Sequence, residues 1–360
     1  MSNGRIPCAI LGASGYIGQQ FSRLLADHPS FEPVLFGAGE RSEGKMLGDV
    51  WQLAETPPAE VAGQRLRAMT PRQVAQGGVR LAFSALPSGT AGSLESELVR
   101  RGVSVFTNAA DHRMDASVPL LVPEVNADHL ALARPAARGR GILVANANCS
   151  ATGLVIGLAP LVPLLRPRSV HVSTYQALSG AGYPGIPSLS ITDNVVPFVR
   201  EEEEKVAHES AKMLGQRRGR GVDLFRVPFL VHCARVATRE GHLEAVTVEA
   251  RSRPSRERIL AALRSFDPLA GRHLPSAPHP PIEVRTEPDR PQPLRDRWAG
   301  SPPRARGMAV VVGRVRWDPP FLRFFLLSHN AVRGGAGGSI LNAELALDLG
   351  RLGPTGEACP

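Results

Sequence analysis

The sequence predicts a two-domain α/β protein, with a Rossmann-type parallel-sheet domain followed by an α+β domain that has a mainly antiparallel sheet. Three observations support this prediction. Short apolar runs alternate with helical patterns up to about residue 148, a glycine-rich turn follows the first run, and longer runs of alternating polarity follow residue 149. At 360 residues the chain is long enough for two hydrophobic cores.

The elements of the first half alternate between strand and helix. Residues 16–26 show the apolar period of an amphipathic helix directly after the first run and its turn. Because parallel strands need long crossovers, this order predicts one parallel sheet. The buried strands that we predict for it cover residues 8–11, 33–36, 79–85, 103–107 and 142–145.

The second half combines strands with fewer helices. We predict a helix that opens at Ser150 and another over residues 256–263, with Ser255 as its N-cap. Prolines are dense in residues 267–306, which predicts an irregular segment. The longer strands predicted here cover residues 169–176, 242–250 and 308–316.

The last helical pattern covers residues 338–351, where Leu341, Leu345 and Leu349 fall on one face. We expect this helix to pack back on the first domain. The predicted domains are therefore residues 1–148 together with about 333–360, and residues 149–332.

Charge and cysteine content limit the classes of function. The net charge is +9, but the cations are scattered and aromatic residues make up only 5%, so we expect no nucleic-acid partner. Zinc-ligand spacing is missing, and we predict no metal site. The sequence lacks a run near the roughly 18 apolar residues of a membrane span. Four cysteines without a CxxC pair indicate a reducing compartment, so we expect a cytoplasmic protein.

The turn over residues 12–18 (GASGYIG) is a candidate phosphate-binding loop. Between a strand and a helix, glycines let a pyrophosphate approach the helix N-terminus, although a tight turn needed only for packing is the alternative. After the second predicted strand, Arg41, Ser42 and Lys45 suit the 2′-phosphate of NADP. Glu40 favours a free ribose instead. We predict NADP as the cofactor.

Cys149 is the candidate nucleophile, since it lies between a predicted strand and a predicted helix, flanked by Asn148 and Ser150. A helix start lowers the pKa of a thiol, and its N–H groups can stabilise an oxyanion. The alternative is a small buried residue. A nucleophilic thiol needs a proton carrier, which His242 can provide. Arg235 offers a planar fork for a carboxylate.

These residues belong to a collinear series of motifs that resembles the aspartate-semialdehyde dehydrogenases, in particular their archaeal and fungal branch. The series spans nearly the whole chain, which makes it more specific than any single motif. Its members are residues 12–18, Arg41-Ser42-x-Gly44-Lys45, Ser84-Ala-Leu-Pro-Ser88, Thr107-Asn108-Ala, Arg113-Met-Asp with Pro119–Asn126, Asn148-Cys149-Ser150, residues 176–182, Glu202-Glu-Glu-Lys205, Arg235 with Gly241-His242, Pro291-Gln-Pro, and Ser328-His-Asn330 through residues 338–344.

The resemblance implies an NADP-dependent oxidoreductase of at least two subunits, a homodimer or homotetramer. It would interconvert L-aspartyl 4-phosphate and L-aspartate 4-semialdehyde with release or uptake of inorganic phosphate, through a thioester on Cys149. His242 would be the acid/base and Gln176 would orient the substrate. The implied substrate contacts are Arg235 with the distal carboxylate, Glu203 with the amino group, Arg113 and Lys205 with the phosphate, and Asn108. The implied NADP contacts are Gly12, Ser14, Gly15, Tyr16, Ile17, Arg41, Ser42, Ser84 and Asn330.

Departures from the family pattern leave other substrates open. Ala237-Thr238 replaces a usual Pro-Val after the arginine that would bind the carboxylate, and Ala151 and Gly39 replace common hydroxyl residues. A related malonyl-CoA or succinyl-CoA reductase, or a paralogue of a specialised pathway, is the alternative enzyme. A catalytically silent NADP-binding scaffold would have no need of the predicted catalytic residues.

Overall fold

Six parallel strands form the first sheet in the computed structural model, which describes residues 4–68, 70–135, 139–353 and 358–359. The spatial order is β2-β1-β3-β4-β6-β5, and every neighbouring pair is parallel. The strands are β1 (Ile6–Leu11), β2 (Phe31–Gly37), β3 (Leu81–Ser84), β4 (Ser104–Thr107), β5 (Leu120–Leu121) and β6 (Leu143–Asn146).

Helices cover this sheet, and the first of them directly follows the glycine turn. The chain leaves β1 first for β2 on one side and then for β3 on the other, so a crevice opens at the carboxyl ends of β1 and β3. The helices of this part are Tyr16–Leu25, Ala59–Ala62, Pro71–Gln76, Ala91–Arg100 and Pro123–Asn126, with 3₁₀ turns at Glu40–Ser42, Gly48–Val50 and Ala127–Leu132.

A second six-stranded sheet has the order β10-β7-β11-β14-β13-β12. Its three central pairs are antiparallel, whereas the two outermost pairs are parallel. A separate two-stranded ribbon joins β8 to β9. The strands are β7 (Pro167–Gln176), β8 (Gln216–Arg218), β9 (Gly221–Asp223), β10 (Phe229–Arg235), β11 (His242–Ala250), β12 (Ile282–Val284), β13 (Val310–Asp318) and β14 (Phe321–Ser328).

One face of the second sheet packs on helices around a core that includes Leu154, Val172, Val246 and Leu326. The other face carries Tyr175 and Leu230, which are 39% and 48% exposed. The helices of this part are Cys149–Leu158, Val162–Leu165, Ser188–Ile191, Glu202–Met213, Arg256–Arg264 and Pro293–Asp296, with 3₁₀ turns at Leu178–Ala181 and Pro303–Ala305.

The last helix, Gly337–Asp348, returns to the first sheet, where Ile340 and Leu341 join the core formed with Phe21 and Phe83. A π-type turn at Val332–Ala336 precedes it. The domain boundaries predicted from the sequence stay a prediction, and residues 1–3, 69, 136–138, 354–357 and 360 within them lie outside the described residues.

The predicted fold class is confirmed, with a parallel sheet followed by a mixed, mostly antiparallel one. The Ser255 N-cap is also present, since its side chain accepts a hydrogen bond from Arg258 N (3.3 Å). The segment 267–306 is less irregular than predicted, because it contains β12 and two short helical turns. Among the helices of the described residues, none has the length and apolar character that crossing a bilayer requires.

Candidate active site

A cleft of about 580 Å³ lies at the carboxyl ends of the first sheet and is closed by residues of the second sheet's layer. It brings together most of the residues predicted from the sequence to form the site. Those on its wall are Gly15, Tyr16, Ile17, Asn108, Arg113, Cys149, Gln176, Lys205, Arg235 and Asn330.

The glycine turn is shaped by close backbone contacts. Gly12 has a φ of +79°, and a Cβ there would lie 2.6 Å from the carbonyl oxygen of Ala85. A Cβ at Gly18 would lie 2.0 Å from the carbonyl oxygen of Gly12. Gly15 then caps the helix Tyr16–Leu25 without a side-chain hydrogen bond, so that the first N–H groups remain directed at the cleft. This geometry fits a dinucleotide pyrophosphate.

The remaining predicted cofactor residues lie within this turn or at the ends of neighbouring strands. Ser14 is half-buried and its carbonyl accepts a hydrogen bond from Gln19 Nε2 (2.9 Å). Ser84 is fully buried at the end of β3. Arg41 is exposed and Ser42 half-buried on the 3₁₀ turn after β2, and the structure does not place either on the cleft wall.

Cys149 begins a helix whose N-cap is Asn148. The Asn148 side chain accepts hydrogen bonds from Ser150 N (2.9 Å) and Ala151 N (3.0 Å). The backbone of Asn148 is itself fixed, since its N–H donates to Glu209 Oε2 (2.6 Å). Gly334 lies against the nucleophile candidate, because a Cβ there would be 2.6 Å from both Cα and Cβ of Cys149.

The Cys149 thiol differs from the prediction in its acidity. Burial raises its pKa to about 12, and the negative charge of Glu202 adds to this effect. Arg113 and Arg235 oppose it, as does the hydrogen bond from the Ser150 backbone. The expected lowering of the pKa by the helix start is therefore wrong, because desolvation outweighs the helix.

Gln176 and Glu202 form the buried wall beside Cys149. Gln176 Nε2 donates to Glu202 Oε1 (2.9 Å) and to Ser150 Oγ (3.0 Å). Glu203, which the family resemblance implied as a substrate contact, lies outside the cleft wall. Its carboxylate accepts a hydrogen bond from Cys233 N (2.9 Å), its side chain is 44% exposed, and it is absent from the cleft wall.

The run of four glutamates, residues 201–204, did not reveal which one faces inward. In the structure Glu202 shares the buried face of its helix with Val206, Glu209 and Met213. These positions are four, seven and eleven residues after Glu202, so the helical period was a signal that could have identified it.

His242 is fully buried and holds one fixed tautomer. The Ala177 N–H donates to its Nδ1 (3.1 Å), so that nitrogen carries no proton. Burial lowers the pKa of His242 to about 3, and the charges of Arg235 and His329 add to this. The ring is thus neutral near pH 7, with its proton on Nε2. A Cβ at Gly180, on the cleft wall, would lie 3.3 Å from Nε2.

Three cationic side chains of the cleft differ in whether a carboxylate of the protein pairs with them. Arg235 donates to the Ala177 carbonyl (2.8 Å) and has no carboxylate within 4.0 Å among the described residues. Arg113 donates to Glu209 Oε1 (2.9 Å) and to the Asn108 carbonyl (2.7 Å). Lys205 pairs with Glu201 (3.0 Å) at the rim.

Two asparagines tie the cleft to both parts of the chain. Asn108 donates to Ser339 Oγ (3.1 Å) and accepts from Asn146 Nδ2 (3.0 Å). Asn330 accepts a hydrogen bond from Gly241 N (2.9 Å) and donates to Ser179 Oγ (2.9 Å). Within the described residues, no three His, Cys, Asp or Glu side chains are grouped as a metal site would require.

The dinucleotide crevice and the neighbouring cysteine together define the class of two-domain pyridine-nucleotide dehydrogenases. Two family models match in the same order along the chain. The "Semialdehyde dehydrogenase, NAD binding domain" model matches residues 7–133, and the "Semialdehyde dehydrogenase, dimerisation domain" model matches residues 158–333. The chain belongs to the semialdehyde dehydrogenase family.

Relatives of known name cover almost the whole chain. An aspartate-semialdehyde dehydrogenase of Archaeoglobus fulgidus is 43% identical over 95% of this chain and 98% of its own length. One from Aspergillus fumigatus is 40% identical over 95% and 97%. A malonyl CoA reductase (NADP) of Metallosphaera sedula is 38% identical over 96% and 98%. The chain thus falls within the archaeal and fungal branch.

Solved structures agree with this placement. The aspartate-semialdehyde dehydrogenase of Candida albicans, determined with NADP, is 32% identical with a TM-score of 0.84 and covers 96% of this chain and 99% of its own. Aspartate semialdehyde dehydrogenase II of Vibrio cholerae has a TM-score of 0.74 at 25% identity, over 95% and 98%.

Proposed function

We propose that this protein catalyses the NADP-dependent reductive dephosphorylation of L-aspartyl 4-phosphate to L-aspartate 4-semialdehyde, and the reverse reaction, through a thioester on Cys149. The observation that carries the proposal is one cleft in which Cys149 lies near Arg235, a guanidinium without a carboxylate partner among the described residues. The sequence identity of 43% and 40% to two aspartate-semialdehyde dehydrogenases also supports the proposal.

Substrate recognition follows from complementary charge. Arg235 is free to pair with the substrate carboxylate through its planar fork. Glu202 faces the cleft and is suited to the substrate ammonium group, so we assign to it the role that the sequence had assigned to Glu203. Arg113 and Lys205 line the same cleft and would hold the phosphate, with Asn108 supporting Arg113 through its carbonyl.

Cofactor binding is proposed for the turn and its surroundings. When bound, NADPH supplies the hydride that reduces the Cys149 thioester to the aldehyde level. The residues that would hold it are Gly12, Ser14, Gly15, Tyr16, Ile17, Arg41, Ser42, Ser84 and Asn330.

Thiol attack must overcome the raised pKa of Cys149. A substrate ammonium group on Glu202 would cancel the charge that adds to this raised pKa, so substrate binding itself favours the thiolate. In this step the thiol proton passes to the phosphate group of the substrate, sulfur attacks the acyl carbon, and the carbon–oxygen bond to phosphate breaks, so that the group leaves as HPO₄²⁻. In this proposal the His242 Nε2–H would donate to the acyl oxygen as negative charge develops there, since Nδ1 already accepts from Ala177 N–H.

A CoA thioester is the second candidate substrate, because the malonyl CoA reductase of Metallosphaera sedula is 38% identical to this chain. Steady-state assays with aspartate semialdehyde plus phosphate, and with malonyl-CoA, separate the two. Turnover of malonyl-CoA alone would overturn the proposed substrate.

The nucleophile is tested with Cys149→Ser. We expect turnover to fall by roughly three orders of magnitude or more, since a serine hydroxyl is a far weaker nucleophile than a thiol. NADP affinity, measured by fluorescence titration, should change by less than about twofold because the cofactor turn is untouched. Equal loss of turnover and affinity would instead indicate damage to the fold.

We also propose a homodimer or homotetramer that assembles through the open face of the second sheet. Three cross-strand rows form the centre of this face: Tyr175–Leu243–Leu327, Ser173–Ala245–Phe325 and His171–Thr247–Arg323. The first row is open at its Tyr175 end, whereas Leu327 is buried. Apolar side chains left on an uncovered sheet face favour self-association. A cytoplasmic location is proposed on the cysteine pattern of the sequence.

A further inference from the structure

Glu240 is a buried acidic residue beside the proposed acid/base residue His242. The proposed reaction assigns no role to Glu240. It is 2% exposed and immediately precedes Gly241 and His242. Its carboxylate accepts a short hydrogen bond from the Tyr16 hydroxyl. The nearest cation is Arg297, whose Nε lies 3.7 Å from Glu240 Oε2. A buried carboxylate is costly unless a hydrogen-bond donor or a counter-charge compensates it, so Glu240 depends on these neighbours.

Tyr16 supplies the hydrogen-bond donor from the cofactor turn. It is the first residue of the helix after Gly15 and lines the cleft. Burial and the hydrogen bond to Glu240 raise the pKa of its phenol above the ordinary value, so Tyr16 remains a donor at working pH. Its ring also packs edge-on against Tyr183, with centroids 5.2 Å apart.

Each residue of the tripeptide 240–242 is held from a different direction. Glu240 is held by Tyr16, Gly241 by Asn330 (2.9 Å), and the His242 ring by the Ala177 N–H (3.1 Å). Gly241 has a φ of +94°, which only glycine adopts readily, so the turn before His242 has little freedom. Two of these three contacts come from Tyr16 and Asn330, which are proposed to bind the cofactor.

We propose that Glu240 is a positioning residue that couples the cofactor turn to His242 through the Tyr16 hydroxyl. The inference rests on the proposed function and deepens it. Ordering of the turn around pyrophosphate fixes Tyr16, Tyr16 fixes Glu240, and Glu240 sets the start of β11, where the Nε2–H of His242 must point at the acyl oxygen.

The variants Tyr16→Phe, Glu240→Gln and their combination test this coupling. Each single change should lower kcat about tenfold, because Tyr16→Phe removes the donor and Glu240→Gln replaces the charged acceptor by a weaker one. The double variant should be no slower than the slower single one, because both changes act on the same hydrogen bond. The NADP dissociation constant should change by less than about twofold. Glu249→Gln is the matched control, since it makes the same change seven residues beyond His242 on β11.

A second readout does not depend on turnover. In ¹⁵N-histidine-labelled protein, NADP should shift the ring signals of His242, assigned by their loss in His242→Asn. In Tyr16→Phe and Glu240→Gln the shift should shrink by more than half at saturating NADP. Equal shifts in all proteins, unchanged kcat, or additive losses in the double variant would overturn the coupling. If the wild type turns over neither substrate, the proposed function fails, while the NMR result still decides the coupling.

Discussion

At the residue scale, burial first and the charge of Glu202 second raise the pKa of the Cys149 thiol. Glu202 raises its pKa, so Glu202→Gln should lower that pKa and increase the thiolate fraction at pH 7.5. Each unit of pKa is worth about a tenfold change in thiolate, so we expect alkylation of Cys149 by iodoacetamide to be several-fold faster.

Peptide mass spectrometry measures that rate at Cys149 separately from the other cysteines. Glu203→Gln is the control, because this neighbouring carboxylate is partly exposed and bonded to Cys233 N. If Cys149 is alkylated at the wild-type rate in both variants, the charge of Glu202 does not raise the pKa of Cys149.

Glu244 gives a second residue-scale prediction, since it is fully buried and neither of its oxygens has a hydrogen-bond partner among the described residues. Burial, and then the charge of Glu202, raise its pKa well above the ordinary value. Above about pH 4.5 the unfolded chain therefore releases a proton that the folded chain keeps, so folding loses about 1.4 kcal/mol per pH unit until the folded pKa is passed.

Glu244→Gln removes this pH-dependent loss of stability, because the amide side chain does not titrate in this pH range. The free energy of unfolding of the variant should therefore rise relative to the wild type as pH increases from 5 to 8, measured by urea denaturation. Glu249→Gln, on the same strand but half-buried, should follow the wild type. Parallel curves for Glu244→Gln and wild type would show that Glu244 ionises in the folded protein.

At the element scale, the π-type turn Val332–Ala336 fixes the start of the nucleophile's helix. Gly334→Ala would place a Cβ 2.6 Å from the Cα and Cβ of Cys149, neither of which is a flexible side-chain end. Overpacking of this kind costs about 1–3 kcal/mol, and here the strain falls on the reacting residue.

We expect kcat to fall about tenfold or more and the melting temperature to drop by several degrees. Gly63→Ala is the control, because a Cβ at Gly63 meets no atom within 4 Å. Wild-type kcat in Gly334→Ala would mean that the helix start shifts without consequence.

The elements also show what the sequence can and cannot predict. The strand His242–Ala250 was predicted at both ends, because its buried and half-buried residues alternate without a break. The edge strand Phe229–Arg235 was missed because residue polarity does not follow its alternating burial: the apolar Leu230 is exposed and the charged Arg235 is buried. The π-type turn has no periodic signal at all, although its glycines lie in a motif that the family resemblance had identified.

At the scale of the whole molecule, the cleft combines residues from opposite ends of the chain. Asn108 donates to Ser339, and the buried pair Arg333–Glu124 joins the returning segment to the first part of the chain. The collinear motifs identified most of the site positions in the sequence. They did not show which way each side chain points, because packing determines side-chain direction. That is why the sequence prediction named Glu203 although Glu202 is the one on the cleft wall, and why burial of Cys149 reversed the expected shift of its pKa.

Assembly is the last property set at this scale, and Ala245→Arg tests it. Ala245 lies in the central row of the open face, between Ser173 and Phe325. If two such faces pack together, an arginine there brings an unpaired charge from each subunit into the interface and should convert the oligomer to monomers or smaller units at micromolar concentration.

Light scattering coupled to size exclusion measures the mass directly. Ala261→Arg is the matched control, since Ala261 is exposed on the helix Arg256–Arg264, which packs on the other side of the same sheet. A wild-type mass for Ala245→Arg would place the interface elsewhere. Because a dimer gains stability from mass action, the melting temperature of the wild type should also rise with protein concentration, and that of Ala245→Arg should not.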